Sequence, residues 1–130
     1  MSFDWRQYTI LVVEDDQDLL DIMSEIFQTA GAKVLTAKNG KLALDIVNVQ
    51  RIDFVVSDIQ MPVLDGIQLL KKIRAMNPKV PIVLLATGQA QIEEHDALNM
   101  GAVGIIRKPF TFEALLEAVQ KVLETNAKAS

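Results

Sequence analysis

Short apolar runs alternate along the chain with longer segments in which apolar residues recur every three or four positions. The runs are YTILVV (8–13), KVLTA (33–37), DFVVS (53–57), PIVLLAT (81–87) and AVGIIRK (102–108), and each predicts a strand. The segments 18–31, 40–49, 65–78, 91–101 and 111–123 have the periodicity of a helix with one apolar face, weakest in 91–101. This alternation predicts an α/β fold whose parallel sheet is covered on both sides.

The helical segments also predict which side chains face the core. In the first helix the apolar face comprises Leu19, Ile22, Met23, Ile26, Phe27 and Ala30, and in the last it comprises Phe112, Leu115, Leu116, Val119, Val122 and Leu123. Asp16 and Thr111 precede these helices, and we expect both to act as N-caps. We predict one domain over residues 8–124, with 1–7 as an N-terminal extension and 125–130 as a C-terminal tail, both loosely held.

Composition narrows the range of partners and locations. Half of the 130 residues are hydrophobic, enough for a core, and the lack of cysteine excludes disulfides and thiolate metal sites. The net charge of −4 argues against direct binding of nucleic acid by this chain, since such binding needs a basic face. No apolar stretch reaches the roughly 18 residues of a membrane span. We therefore expect a cytoplasmic protein without membrane insertion.

Polar side chains stand directly after four of the predicted strands. Glu14 and Asp15 follow the first, Asp58 the third, Thr87 the fourth and Lys108 the fifth. In open α/β sheets, ligands bind at the carboxyl ends of the strands, near the point where the strand order reverses. These residues are therefore the candidates for a shared site.

The residue types at these strand ends suit one kind of chemistry. Neighbouring carboxylates repel each other unless a cation joins them, and oxygen ligands without sulfur or imidazole suit Mg²⁺. A carboxylate can also act as a nucleophile and form an aspartyl phosphate. Phosphoryl transfer needs mainly positioning and neutralisation of charge, which Lys108 and the Thr87 hydroxyl can provide.

Four motifs carry a resemblance to a known family. ILVVEDD, SDIQMPVLDG, LLATG and RKPF occur in this order at the ends of strands one, three, four and five. In this pattern the chain resembles, over about residues 8–124, the response regulator receiver domains of two-component signalling. The resemblance implies a flavodoxin-like, doubly wound (βα)5 fold with a five-stranded parallel sheet of order 2-1-3-4-5.

The resemblance also implies roles for individual residues. Asp58 matches the phosphoacceptor, Thr87 the hydroxyl residue that contacts the attached phosphoryl group, and Lys108 the lysine that pairs with it. The peptide bond between Lys108 and Pro109 is typically cis in the family.

A divalent cation, Mg²⁺, is implied as the cofactor. Its ligands in the family match Asp15, Asp58 and the backbone carbonyl of Gln60. Glu14 matches a further acid, which often reaches the ion through water. The residues Gln60 and Gln89 occupy positions that tune hydrolysis of the aspartyl phosphate in the family.

The implied function is that of a phosphoacceptor in a two-component system or phosphorelay. A histidine kinase or a histidine phosphotransfer protein is the expected donor, and the chain is expected to catalyse its own phosphotransfer and autodephosphorylation without being a conventional enzyme. The fourth helix, fifth strand and fifth helix are expected to contact an output protein, although Ile105 replaces an aromatic residue that often takes part in the switch.

Two alternatives remain. One is a phosphorylation-independent binding module with the same fold. The other is a phosphatase, which Gln60 disfavours because such an enzyme would need an acid at that position.

Overall fold

The computed structural model describes residues 3–76, 79–86 and 93–129, with side chains described as far as Thr125. After a short 3-10 helix (Trp5–Gln7), strands and helices alternate. The strands are β1 (Thr9–Val13), β2 (Lys33–Ala37), β3 (Phe54–Asp58), β4 (Ile82–Ala86) and β5 (Gly104–Arg107). The helices are α1 (Gln17–Ala30), α2 (Gly40–Val49), α3 (Gly66–Met76), α4 (Glu94–Asn99) and α5 (Phe112–Ala129).

The five strands form one parallel sheet in the order β2-β1-β3-β4-β5, which confirms the predicted fold class and strand order. Because β2 lies on one side of β1 and β3 on the other, the order reverses between β1 and β3. Val13 at the end of β1 pairs with Ser57, and Asp58 at the end of β3 pairs with Leu85 of β4. The carboxyl ends of these strands therefore meet at the switch point, where α/β folds bind ligands.

Alternate residues of the strands point to opposite faces of the sheet, and each face has its own core. On one side Ile10 and Val12 belong to a buried cluster with residues of α1 and α5, such as Phe27 and Leu115. On the other side Leu11, Val13 and Val55 pack with residues of α2, α3 and α4, such as Ala43, Leu70 and Ala97. The near-continuous apolar strands follow from this burial on both faces.

Local hydrogen bonds define where the helices start. The Asp16 carboxylate accepts from the Leu19 N–H at 3.2 Å and the Thr111 hydroxyl from the Ala114 N–H at 3.0 Å. Both residues thus satisfy N–H groups that have no partner within the helix, and both N-cap predictions are confirmed.

The predicted helix faces are broader than the buried ones. Ile22 of α1 and Phe112 of α5 are exposed, although both were expected to face the core, and Leu20 is buried instead. An apolar stripe read at helical spacing spans more of the helix than its neighbours cover, so the residues at its margin stay in water.

No described helix is both long and apolar enough to cross a membrane.

The segment before β1 is packed, so the expectation of a loosely held start is wrong for residues 3–7. Trp5 is 9% exposed and belongs to the core cluster on the α1 side. Its ring lies 5.0 Å from that of Phe3 and 5.8 Å from that of Phe27, and Phe3 stacks on Tyr8 at 5.2 Å. At the other end α5 continues to Ala129, into the predicted tail. The division of the chain at residues 8 and 124 stays a prediction.

We predict that Trp5→Ala lowers the free energy of unfolding by about 3 kcal/mol, because it empties a volume enclosed by other aromatic rings. Urea denaturation followed by circular dichroism measures this, since the substitution removes the only tryptophan. Gln7→Ala, at an exposed position of the same segment, serves as the control and should change the value by less than about 0.5 kcal/mol. Equal denaturation midpoints for the two variants would contradict the packing role of Trp5.

Candidate functional site

Three strands bring ionisable side chains to the switch point. Glu14 and Asp15 directly follow β1, Asp58 is the last residue of β3, and Lys108 directly follows β5. Glu14 is 1% exposed and Asp58 is 5% exposed, whereas Asp15 is exposed to solvent. The sequence placed these residues at strand ends, and the sheet brings their charged groups together.

Lys108 is the cation of this cluster. Its Nζ lies 3.1 Å from Glu14 Oε1 and 3.5 Å from Asp58 Oδ2. Carboxylate oxygens of Glu14, Asp15 and Asp58 lie within 4.8 Å of one another. The Lys108 ammonium group therefore contacts two of the three clustered acids, Glu14 and Asp58.

Burial and neighbouring charges shift the pKa values of Glu14 and Lys108. Burial and the neighbouring charge of Asp58 raise the pKa of Glu14 to about 7, although the hydrogen bond from Lys108 acts in the opposite direction. Burial alone would lower the pKa of Lys108, but its bonds and attraction to Glu14 and Asp58 outweigh this and raise it. Lys108 therefore remains positively charged. The ionised form of Glu14 is disfavoured in these surroundings unless a further positive charge lies nearby.

Backbone groups orient the two buried carboxylates. The Ile59 N–H donates to Asp58 Oδ1 at 2.9 Å, and the Asp16 N–H donates to Glu14 Oε2 at 3.3 Å. The Ser57 hydroxyl is buried as well and donates to the Asp58 backbone carbonyl at 2.9 Å. Asp58 therefore has one carboxylate oxygen fixed by the backbone and the other facing Lys108.

The loop from Ile59 to Asp65 connects Asp58 with α3 and has several fixed points. Asp65 and Gln68 form a capping box, in which each side chain accepts from the other residue's backbone N–H, at 2.8 and 3.0 Å. The Gly66 N–H donates to the Ile59 carbonyl at 2.8 Å, and a Cβ at Gly66 would collide with the backbone of Asp58 and Ile59. These contacts hold the Asp65–Gly66 pair in the turn that enters α3.

An open groove of about 1110 Å³ adjoins the cluster and is lined by both Asp15 and Gln60, together with residues of α3 and α4. The Gln60 side chain is exposed. Gln60 therefore borders the same space as the exposed acid of the cluster, which is consistent with its predicted position near a metal.

The oxygen ligands of this cluster fit a hard divalent cation. Glu14, Asp15 and Asp58 can each offer a carboxylate oxygen, and no sulfur or imidazole is among them. Burial and the charge of Asp58 disfavour the ionised form of Glu14 and raise its pKa, in spite of the hydrogen bond from Lys108. A cation with oxygen ligands, such as Mg²⁺, would favour that ionised form.

Two predicted participants, Thr87 and Gln89, lie outside the described residues. Ile105 is partly buried in β5, and the peptide bond between Lys108 and Pro109 is cis, as the resemblance implied.

Val63 has a φ of 73°, which is unusual for a β-branched residue and which nothing in the sequence predicted.

Comparison with known proteins identifies the family. Residues 10–120 match the family model of the response regulator receiver domain. The chain therefore belongs to the response regulator receiver domains of two-component signal transduction.

Individual relatives agree with this membership. The chain is 41% identical over 108 residues to the uncharacterized transcriptional regulatory protein YrkP of Bacillus subtilis, covering 83% of this chain and 46% of that protein. It is 31% identical to sporulation initiation phosphotransferase F of Bacillus subtilis, covering 88% and 92%. The solved structure of the chemotaxis response regulator CheY4 of Vibrio cholerae superimposes with a TM-score of 0.81 at 32% identity, covering 88% and 98%.

Several of the relatives are longer than this chain. The chain spans 46% of YrkP and 27% of each of two Escherichia coli proteins that are also described as transcriptional regulatory proteins. Our expectation that nucleic acid is not a direct partner rests on the charge of this chain. It is not supported for a longer protein of the kind these relatives represent.

The raised pKa of Glu14 gives a pH-dependent prediction for the protein in EDTA. A carboxyl group whose pKa is raised by folding stabilises the fold most when it is protonated, and this contribution is lost as the pH rises through about 7. Glutamine has the same shape without the charge. We therefore expect Glu14→Gln to gain stability relative to the wild type between about pH 5 and about pH 8, by roughly 1–3 kcal/mol.

Urea denaturation at the two pH values measures this difference. Glu117→Gln, at an exposed position of α5, is the control and should follow the wild type at both pH values. A stability difference between Glu14→Gln and the wild type that does not change with pH would contradict the prediction.

Proposed function

We propose that the chain is a phosphoacceptor that takes a phosphoryl group from a phosphohistidine onto Asp58. The observation that carries the proposal is the position of Asp58, whose Oδ2 lies 3.5 Å from the Lys108 ammonium group beside two further acids. A carboxylate with one oxygen held by the backbone and the other next to a cation is a positioned nucleophile.

A carboxylate oxygen of Asp58 forms a bond to phosphorus, while the bond from phosphorus to the imidazole nitrogen of the donor breaks, and the leaving nitrogen takes up a proton. Lys108 pairs with the phosphoryl oxygens, and Thr87, as the resemblance implies, donates a hydrogen bond to them. Water later hydrolyses the acyl phosphate, which releases inorganic phosphate and regenerates the Asp58 carboxylate. Gln60 is placed to influence this step, since its side chain is exposed beside the acidic cluster.

Glu14, Asp15, Asp58 and the backbone carbonyl of Gln60 would hold the Mg²⁺ ion. When bound, the ion neutralises charge on the carboxylates and on the phosphoryl group. The oxygens of Asp15 and of ionised Glu14 favour a cation there, and a bound cation would in turn favour the ionised form of Glu14. Lys108 keeps its charge throughout, because its surroundings raise its pKa.

The donor is a histidine kinase or a histidine phosphotransfer protein, and the readout is a change of the surface formed by α4, β5 and α5. Leu98 of α4 and Val103, next to β5, are exposed apolar side chains on these elements. Lys108 directly follows β5, so a change in the contacts of Lys108 would act on this surface.

The cytoplasmic location expected from the sequence belongs to the same proposal.

The proposed function predicts covalent labelling at one residue. After incubation with acetyl phosphate and Mg²⁺, the intact mass should increase by one phosphoryl group, as bond formation to Asp58 releases acetate. Asp58→Asn should show no adduct, because it lacks the nucleophile, and EDTA should prevent labelling of the wild type. Asp53→Asn, at the other end of β3, is a matched control that should still be labelled.

An adduct that persists in Asp58→Asn would overturn the choice of acceptor. No adduct on the wild type, under conditions that label another receiver domain and with a phosphohistidine donor also tried, would favour the phosphorylation-independent binding module.

We also predict a role for Lys108 in the rate of transfer. Lys108→Gln removes the positive charge beside Asp58, and we expect labelling to slow by about tenfold to a hundredfold at saturating Mg²⁺. Quenched time courses analysed by mass spectrometry give the rate. Lys121→Gln, on the exposed side of α5, should leave it unchanged, whereas equal rates for Lys108→Gln and the wild type would contradict the role of Lys108.

A further inference from the structure

We propose that Gly40, the first residue of α2, is a positioning residue for the metal site. It acts through the loop of residues 59–65 that follows Asp58, and so the inference rests on the proposed function, in which the Gln60 carbonyl of this loop binds Mg²⁺. Gly40 is part of a different helix and was not among the candidates from the sequence.

The contact between Gly40 and the loop is a direct contact of two backbones. The Gly40 N–H donates to the Leu64 carbonyl at 3.1 Å. A Cβ at position 40 would lie 2.9 Å from Leu64 Cβ and closer still to the Leu64 carbonyl oxygen. Real Cβ atoms do not approach other atoms so closely, and a carbonyl oxygen cannot rotate away as the end of a side chain can. Any side chain at position 40 therefore displaces Leu64 or α2.

The loop has little freedom to absorb such a displacement. The Leu64 N–H donates to the Pro62 carbonyl at 2.8 Å across Val63, whose φ is 73°. This combination is that of a classic γ-turn, a strained conformation that is especially unfavourable for a β-branched residue. Val63 is 74% exposed, so its own packing does not hold the turn. Strain of this kind persists only where the surroundings enforce it.

The two ends of the loop and Gly40 provide that enforcement. Gly66 and the capping box fix the end at α3, and the Ile59 N–H donates to the Leu85 carbonyl of β4 at 3.1 Å. Among the described residues, the bond from Gly40 is the one backbone hydrogen bond that joins residues 60–64 to another part of the chain. Gln60 lies between these fixed points, so a shift of Leu64 reaches it through only three residues.

The test is Gly40→Ala, with Mg²⁺ as the titrated ligand and ¹H–¹⁵N NMR spectra of the full chain as the readout. We expect Mg²⁺ to bind about tenfold more weakly, as is found when residues that orient metal ligands are replaced. Labelling by acetyl phosphate should slow by the same factor at limiting Mg²⁺ and recover at saturating Mg²⁺. A loss of stability alone would not produce this dependence on Mg²⁺.

Gly31→Ala is the matched control. Gly31 ends α1 with a φ of 117°, so alanine is strained there as well. Its neighbours Trp5 and Arg6 precede β1, whereas the site lies at the carboxyl ends of the strands, at the opposite end of the sheet. We expect it to lower the stability and to leave the dissociation constant of Mg²⁺ unchanged. Equal Mg²⁺ affinities for Gly40→Ala and the wild type, or equal losses for the two glycine variants, would overturn the inference.

A second variant keeps the test decisive if Gly40→Ala does not fold. Leu64→Ala leaves the backbone contact sterically possible but removes the side chain that packs Leu64 onto the core, and we expect weaker Mg²⁺ binding in the same direction. Unchanged binding in this variant would contradict the inference. A wild-type protein that neither binds Mg²⁺ nor becomes labelled would instead overturn the proposed function, and this inference with it.

Discussion

The candidate site depends on the charges that meet at the point where the strand order reverses. Glu14 and Asp58 are buried with their carboxylates near each other, and Lys108 is the cation that contacts both. A buried charge is costly unless it is paired, and here one cation serves two buried acids and a third beside them. Burial and the charge of Asp58 raise the pKa of Glu14 in spite of its hydrogen bond with Lys108. Additional positive charge nearby would therefore favour the ionised forms of these acids.

The order of the strands is what makes this arrangement possible. β1 and β3 are neighbours, and β2 lies beyond β1 whereas β4 lies beyond β3. The loops after β1 and β3 therefore lead to opposite faces of the sheet and leave the strand ends open. Buried apolar residues on both faces keep these two strands in the middle of the sheet, and acids at their ends can approach each other without entering the core. Lys108 comes from β5 at the edge of the sheet and reaches inward to the acids. The chemistry is thus confined to one edge, while the fold is stabilised by the two apolar layers behind it.

Much of this could be predicted from the sequence, because strands buried on both sides are continuous apolar runs and because Asp16 and Thr111 act through local hydrogen bonds. The positions of Glu14, Asp15, Asp58 and Lys108 after their strands followed from the same runs. Features that depend on contacts between distant segments could not be predicted. The packing of Trp5 requires Phe27, and the close approach of Gly40 requires Leu64. Val63 occupies a turn position for which glycine or asparagine would be expected, so its φ reflects its surroundings rather than its own preference. Ile22 and Phe112 were assigned to the core because a helical stripe does not show how far its neighbours extend.

The position of Lys108 bears on how a change at Asp58 could reach the α4, β5 and α5 surface in a chain that has Ile105 in place of an aromatic residue. Beyond its contacts with the acids, Lys108 donates its backbone N–H to the Ala86 carbonyl at 2.6 Å. Its main chain therefore belongs to the pairing of β4 with β5, at the residue that precedes Thr87. Movement of the Lys108 side chain toward a phosphoryl group on Asp58 would displace the Lys108 backbone. Because this backbone is hydrogen-bonded to β4, the displacement would affect both β4 and β5. Such a route would need no aromatic rotamer, because the lysine proposed to pair with the phosphoryl group is itself part of the backbone that leads to the surface.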